Sequence, residues 1–248
     1  MKAYGTQVVN GTQKRWRFIF RKELRIVEKA ISLKADTAKF LKELPSLFLQ
    51  NPEYLLHLPR AGIASVPTKI SPARSPVLKN KILISELPQI TCWPMDGGAF
   101  ITLPQVFSRD PINSNIMKSN LGMYRVQLSG NEYIKNKEIG LHYQIHRGIG
   151  IHHASAIEQD RDLPVSIFVG GNPAHSVAAV MPMPECMSEL IIAGMLSGKR
   201  FRYSVLGDHI ISSDADFCIT GWIRGKETKP EGPFGDHTGY YTPKEPFP

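Results

Sequence analysis

After residue 81 the chain breaks into short runs that leave no room for a long helix. "KILISEL", "GAFITLPQVF", "GMYRVQLSG", "IGLHYQIH", "LPVSIFVGG", "RFRYSVLG" and "DFCITGWIRG" are rich in β-branched and aromatic residues, and Gly, Pro or Asn stands at their borders. Such runs predict strands. Two helices are expected among them, over about 151–160 and about 185–197, the second closed by Gly198. Strands with few helices between them predict an α+β fold, an antiparallel sheet or barrel with helical flanks, and exclude a doubly wound sheet. No GxGxxG follows a strand and no GxxxxGK[ST] occurs, so the usual phosphate loops are absent.

Upstream the texture differs. Residues 14–57 carry apolar positions at spacings of three and four, as in "ELRIVEKAISL" and "TAKFLKELPSLFL", and predict helices with breaks at Pro45 and Asn51-Pro52. Residues 58–80, rich in Pro, Ser, Ala and Gly, read as a connector. The expected division is a helical segment and connector over 1–80 and a sheet domain over 81–248. The net charge of +8 belongs to the first part: fifteen Lys/Arg oppose five Asp/Glu over 1–80, and fifteen oppose seventeen beyond. Mixed into a helical pattern, that excess predicts a solvated face rather than a nucleic-acid site. Cys92, Cys186 and Cys218 form no CxxC and suit buried free thiols in a reducing cytoplasm. No apolar run is long enough to span a bilayer, and the N-terminus shows no secretory signal.

Several polar residues sit oddly in their surroundings. Asn120 precedes a strand and reads as a turn residue; Arg125 lies within it and could face water. If 139–146 is a strand, His142, Gln144 and His146 share one face, with Tyr143 and Ile145 on the other. His152 and His153 read as surface or capping residues at a helix start. Glu189, in the first turns of a helix, could complement its dipole or turn inward as a ligand. An amide, an imidazole and a carboxylate on three segments would suit a divalent cation such as Mn²⁺ or Mg²⁺ better than a structural Zn²⁺. "KPEGPFGDHTGYY", residues 229 to 241, places Glu231 and Asp236 in a Gly/Pro-rich loop, either a turn or one wall of a site.

"TCWPMDGGAFIT", "NLGMYR", "HRG", "MPMPECMSE" and "KPEGPFGDHTGYY", in this order and at these separations, resemble the UbiD-type decarboxylases, which include ubiquinone- and menaquinone-pathway enzymes acting on hydroxybenzoate-like acids. The resemblance covers about residues 80–248; "NGTQKRWRF" and the helices after it resemble the segment leading into the catalytic domain. It implies a split β-barrel of flavin-reductase type, prenylated FMN supplied by a flavin prenyltransferase, and a divalent metal, manganese by preference, anchoring the cofactor phosphate. On matching positions Asn120, His146 and Glu189 would hold the metal. Met123, Tyr124, Arg125, Arg147 and Gly148 would line the cofactor, with His142, Tyr143 and Gln144 where family members also contact it.

The resemblance also implies a catalytic trio, Arg125, Glu231 and Asp236. Arg125 would pair with a carboxylate and hold Glu231. Asp236 would protonate the carbon that loses CO₂, its pKa raised by a neighbouring acid and partial desolvation. The family implies a homo-oligomeric enzyme on a small aromatic acid, peripheral to a membrane where the substrate is lipophilic, with no nucleic-acid partner. Family members continue past the position of Pro248 into a further strand and a large C-terminal portion.

Overall fold

The computed structural model describes residues 2–5, 46, 49, 53–144, 146, 148–181, 183 and 187–247. Its centre is an open sheet of six strands: β1 (Lys2–Gly5), β2 (Asn80–Ile82), β3 (Gln105–Ser108), β4 (Asn120–Met123), β5 (Leu163–Val169) and β6 (Phe217–Ile223), in the order β2-β1-β6-β5-β3-β4. Every neighbouring pair is antiparallel. The longest ladder joins β5 to β6, from Leu163 opposite Ile223 to Val169 opposite Phe217.

Side-chain alternation explains why this sheet lies between two cores. Along β5, Leu163, Val165 and Ile167 enter one core and Phe168 the other; along β6, Ile219 and Ile223 part from Cys218; along β3, Val106 parts from Phe107. Among the described residues, four helices flank the sheet: α1 (Glu53–Ala64), α2 (Gly148–Glu158), α3 (Pro173–Val180) and α4 (Glu189–Ser197). Helix α2 covers the first face through Ile149 and Ala156. Helices α3 and α4 cover the second through Ala178, Leu190 and Ala193. Helix α1 packs near α4, where a Cβ on Gly194 would strike the Ala64 carbonyl at 2.0 Å. Smaller ladders complete the fold: Arg202–Leu206 with His209–Ser212 and Thr68–Lys69, Phe100–Ile101 with Val126–Gln127 and Gly140–Leu141, and two short hairpin ladders beyond residue 228.

The mixed α/β reading therefore stands, and several local expectations need correction. The run 139–146 is a strand only over Gly140–Leu141. Helix α3 is not among the expected elements, although Asn172 caps it by accepting from the Ala174 N–H and Pro173 takes the first turn, both ordinary helix-start signals. His209–Ser212 is a further strand not anticipated. Helix α1 runs past Pro59 into the stretch read as connector, and β2 straddles the expected boundary at 80/81. Most of the helices expected over 14–57 lie outside the described residues. Cys92 is exposed rather than buried; Cys218 is buried, which pushes its thiol pKa up; Cys186 lies outside the described residues. No helix among the described residues is long and apolar enough to cross a membrane.

Candidate active site

Beside β4, the edge strand of the sheet, lies a cleft of about 860 Å³. The hairpin of β3 and β4 sets Asn120 opposite Ser108 and Met123 opposite Gln105, and the chain continues through Tyr124 to Arg125 at the cleft wall. Asn120, His146 and Glu189 all line this cleft, as do Met123, Tyr124, Arg125, His142, Tyr143, Gln144 and Gly148. Arg147 lies outside the described residues. Because His142, Tyr143 and Gln144 all reach the cleft, the two-faced alternation expected for a strand does not hold there.

The three residues expected to bind metal differ in setting. Asn120 is buried, its Nδ2 has no partner among the described residues, and Gly148 packs so closely that a Cβ there would meet Asn120 Oδ1 at 2.2 Å. Glu189 opens α4 just after the cap residue Ser188. Its Oε2 accepts the Leu121 N–H at 2.8 Å, so it turns inward to a donor on the edge strand. Burial raises its pKa, outweighing the stabilising backbone hydrogen bonds. His146 is exposed in an irregular turn. An amide, an imidazole and a carboxylate with a partly desolvated charge fit a divalent cation, which would offset the cost of burying Glu189.

Arg125, which lines the cleft, is held from behind by Glu231, which does not line it, in a two-pronged ion pair, Nε to Oε1 at 2.9 Å and Nη2 to Oε2 at 2.7 Å. Glu231 is 0% exposed. Burial alone would raise its pKa, but hydrogen bonds from His142 and Arg125 and their positive charge hold it below the ordinary 4.5. The Arg125 guanidinium lies over the Phe234 ring at 4.6 Å, a cation–π contact. Arg125 Nη1 has no hydrogen-bond partner among the described residues, leaving its two N–H groups for a ligand.

Residues that sequence reasoning does not single out hold Glu231 there. Buried Gln127 accepts the Gly232 N–H at 2.8 Å, and Asn131 donates to the carbonyls of Pro230 and Gly232 at 3.1 and 2.8 Å. Tyr133 donates to Pro230 O at 2.9 Å. Gly97, from the "MDGGAF" run, touches the same loop: a Cβ there would lie 2.1 Å from Gly232 O. The only local hint is the turn residue pair Gly130-Asn131, where Asn131 has φ 48°. Elsewhere in the wall, Tyr143 shares a 2.6 Å hydrogen bond with His153 Nδ1, and His152 Nδ1 pairs with Ser108 Oγ at 2.9 Å. His153 is buried and His152 partly so, within α2 rather than at its start; burial lowers both pKa values.

Asp236 departs from expectation. It does not line the cleft, and its side chain is 37% exposed. Its carboxylate is tied to the adjacent His237, through both the backbone N–H and the ring. Slight desolvation would raise its pKa, but those bonds and the His237 charge leave it lowered, the opposite of the elevation expected for a proton donor. Asp96 fixes the neighbouring turn by accepting from the Gly235 N–H at 2.8 Å.

Residues 66–248 match the UbiD family described as the 3-octaprenyl-4-hydroxybenzoate carboxy-lyase Rift-related domain. A Chlamydia pneumoniae protein, named as one subunit of a 4-hydroxybenzoate decarboxylase, is 41% identical over 69% of this chain and 28% of its own length. Among solved structures, the fold resembles the vanillic acid decarboxylase of Sedimentibacter hydroxybenzoicus, with a TM-score of 0.67 at 22% identity over 79% of this chain and 43% of that one. It also resembles the UbiD-class enzyme HmfF from Pelotomaculum thermopropionicum in complex with FMN, with a TM-score of 0.64 at 26% identity over 76% of this chain and 43% of that one. The chain spans less than half the length of each of these relatives. The match over most of its length places this chain in the UbiD family.

Proposed function

We propose that this chain forms the cofactor-binding part of a non-oxidative decarboxylase acting on an aromatic or polyprenylated hydroxybenzoate-like acid. One observation carries the reading: Arg125, fixed by a two-pronged pair with the buried Glu231 behind it, lines a cleft that also bears Asn120, His146 and Glu189. The cleft has the volume and mixed lining of a cofactor site. Asn120, His146 and Glu189 would hold manganese at the phosphate of prenylated FMN. Met123, Tyr124, Arg125, His142, Tyr143, Gln144, Arg147 and Gly148 would contact the rest. When bound, that cofactor supplies the electron sink for the pair left on an sp² carbon as CO₂ departs.

The chain's own residues do the remaining work. Glu231 occupies Nε and Nη2 of Arg125 and fixes the guanidinium plane, so Nη1 is free to grip the substrate carboxylate. Asp236 serves as proton donor if the hairpin Phe234–Thr242 swings over the cleft; Phe234, two residues before it, already covers Arg125. Within this proposal the sheets correspond to an opened split barrel, a flavin prenyltransferase supplies the cofactor, the pathway leads to a quinone, and the whole enzyme is a homo-oligomer in the cytoplasm, close to membranes where its substrate is lipophilic.

A second reading, binding of flavin and metal without turnover unless a partner chain is present, is favoured by the place of Asp236 outside the cleft. Co-production with a flavin prenyltransferase separates the two, with absorbance for bound flavin and CO₂ release as readouts. Flavin with CO₂ release supports the decarboxylase, flavin without it supports the second reading, and neither signal defeats both.

A further inference from the structure

We propose that His142 is a positioning residue that fixes the Arg125–Glu231 pair through a protonated Nδ1; its role in turnover rests on the decarboxylase reading above. Nη2 of Arg125, Oε2 of Glu231 and Nδ1 of His142 form a nearly equilateral triangle, with sides of 2.7, 3.0 and 3.2 Å. The two N–H bonds on Nη2 diverge by roughly 120° while Oε2 and Nδ1 stand about 70° apart as seen from it, so a straight bond to one leaves only a bent bond to the other. The shorter contact, to Oε2, takes the straight bond. Were Nδ1 bare, its lone pair would face that of Oε2 at 3.2 Å, beside a carboxylate wholly removed from water. A proton on Nδ1 turns that contact into a third donated bond to Glu231. The ring then presents Nε2, which has no hydrogen-bond partner among the described residues, away from the pair.

Two further contacts hold the imidazole in this pose. The His142 N–H donates to the Arg125 carbonyl at 3.2 Å, so ring and guanidinium hang from directly bonded backbones. The Phe247 ring lies on the imidazole with centroids 4.0 Å apart. Phe247 belongs to the strand Glu245–Phe247, which pairs with Lys229–Glu231 and sets Glu245 opposite Glu231. The strand that carries Glu231 therefore also seats the cover on His142. Loss of the imidazole would leave Oε2 with a single donor and the guanidinium free to tilt, misaiming Nη1.

The test separates the two ring nitrogens. Asparagine can place an N–H where Nδ1 stands; glutamine places it nearer Nε2. In the cofactor-loaded enzyme, His142→Ala and His142→Gln are expected to lose about tenfold or more in kcat, as for a hydrogen bond to a charged group. His142→Asn should recover most of that loss, with kcat taken per bound flavin because His142 also faces the cofactor. Rescue by glutamine but not asparagine overturns the proposal. So does an unchanged kcat per bound flavin in His142→Ala, which would confine His142 to holding the cofactor. A readout independent of cofactor is the tautomer in this chain, by long-range ¹H–¹⁵N correlation of the imidazole. A proton on Nδ1 is expected; a neutral ring with its proton on Nε2 overturns the proposal. Absence of CO₂ release from the unsubstituted enzyme would defeat the decarboxylase reading and leave the tautomer to decide this one.

Discussion

Glu231 and Asp236 lie five residues apart in one loop, yet the fold gives them opposite surroundings. Glu231 has no exposed surface and takes two hydrogen bonds from Arg125. Its loop is clamped by Gln127, Asn131 and Tyr133 and abutted by Gly97. Asp236 is partly exposed and bonded to its own neighbour. Both carboxyls have lowered pKa values, for different reasons. Charge and hydrogen bonds from distant segments overcome burial at Glu231, whereas a local turn suffices at Asp236. Proximity in sequence thus says little about shared surroundings: long-range contacts preorganise Glu231, and a local turn holds Asp236.

The contrast can be broken by substitution. Arg125→Met strands a buried carboxylate and is expected to cost about 3–5 kcal/mol of stability, measured by urea unfolding. A loss near zero would mean that Glu231 is not truly sealed from water. Gly97→Ala forces a methyl group against the Gly232 carbonyl and should cost about 1–3 kcal/mol. The same substitution should reduce turnover if the loop sets the height of Glu231.

Acid unfolding sharpens the comparison further. The folded pKa of Glu231 lies below 4.5, so its stabilisation is fully present above that value and is lost as pH falls through the folded pKa. Glu231→Gln should therefore flatten the acid limb of the stability–pH curve, and Asp236→Asn should flatten it in the same direction but less, because its carboxylate is partly exposed and screened by water. The smallest expected effect is that of Asp236→Asn on the unfolding midpoint, a slight fall. Its effect on turnover is a separate matter: if Asp236 is the proton donor, CO₂ release falls sharply with flavin retained, and full activity would reject that role.

Much of the sheet is legible in the chain. The runs at 163–169 and 217–223 form strands because β-branched and aromatic residues alternate between two buried faces, and the run at 202–206 packs Tyr203, Val205 and Leu206 against the second core alone. The run 139–146 misleads because ladder pairing ends at Leu141, after which His142, Tyr143, Gln144 and His146 line the cleft instead of alternating between two faces. Helix α3 escapes notice despite its Asn-Pro start, since an alanine-rich helix of eight residues carries little periodic signal. Arg125 and Glu231 can be named as partners only through a family resemblance, as 106 positions separate them. Gln127 and Asn131 read as ordinary turn and strand residues; their purpose appears only when the 230–232 backbone is laid against them.

By itself, the sequence determined the strand-rich α+β character, the family, and the residue types available for an ion pair and a cation site, because these depend on local periodicity and on motif identity. Only the tertiary structure decided that Glu231 is buried and held by Arg125 and His142, that Glu189 turns inward to the edge strand, and that Asp236 stands outside the cleft. Burial, desolvation and hydrogen-bond partnership are properties of segments brought together across the chain, and no stretch of sequence carries them alone.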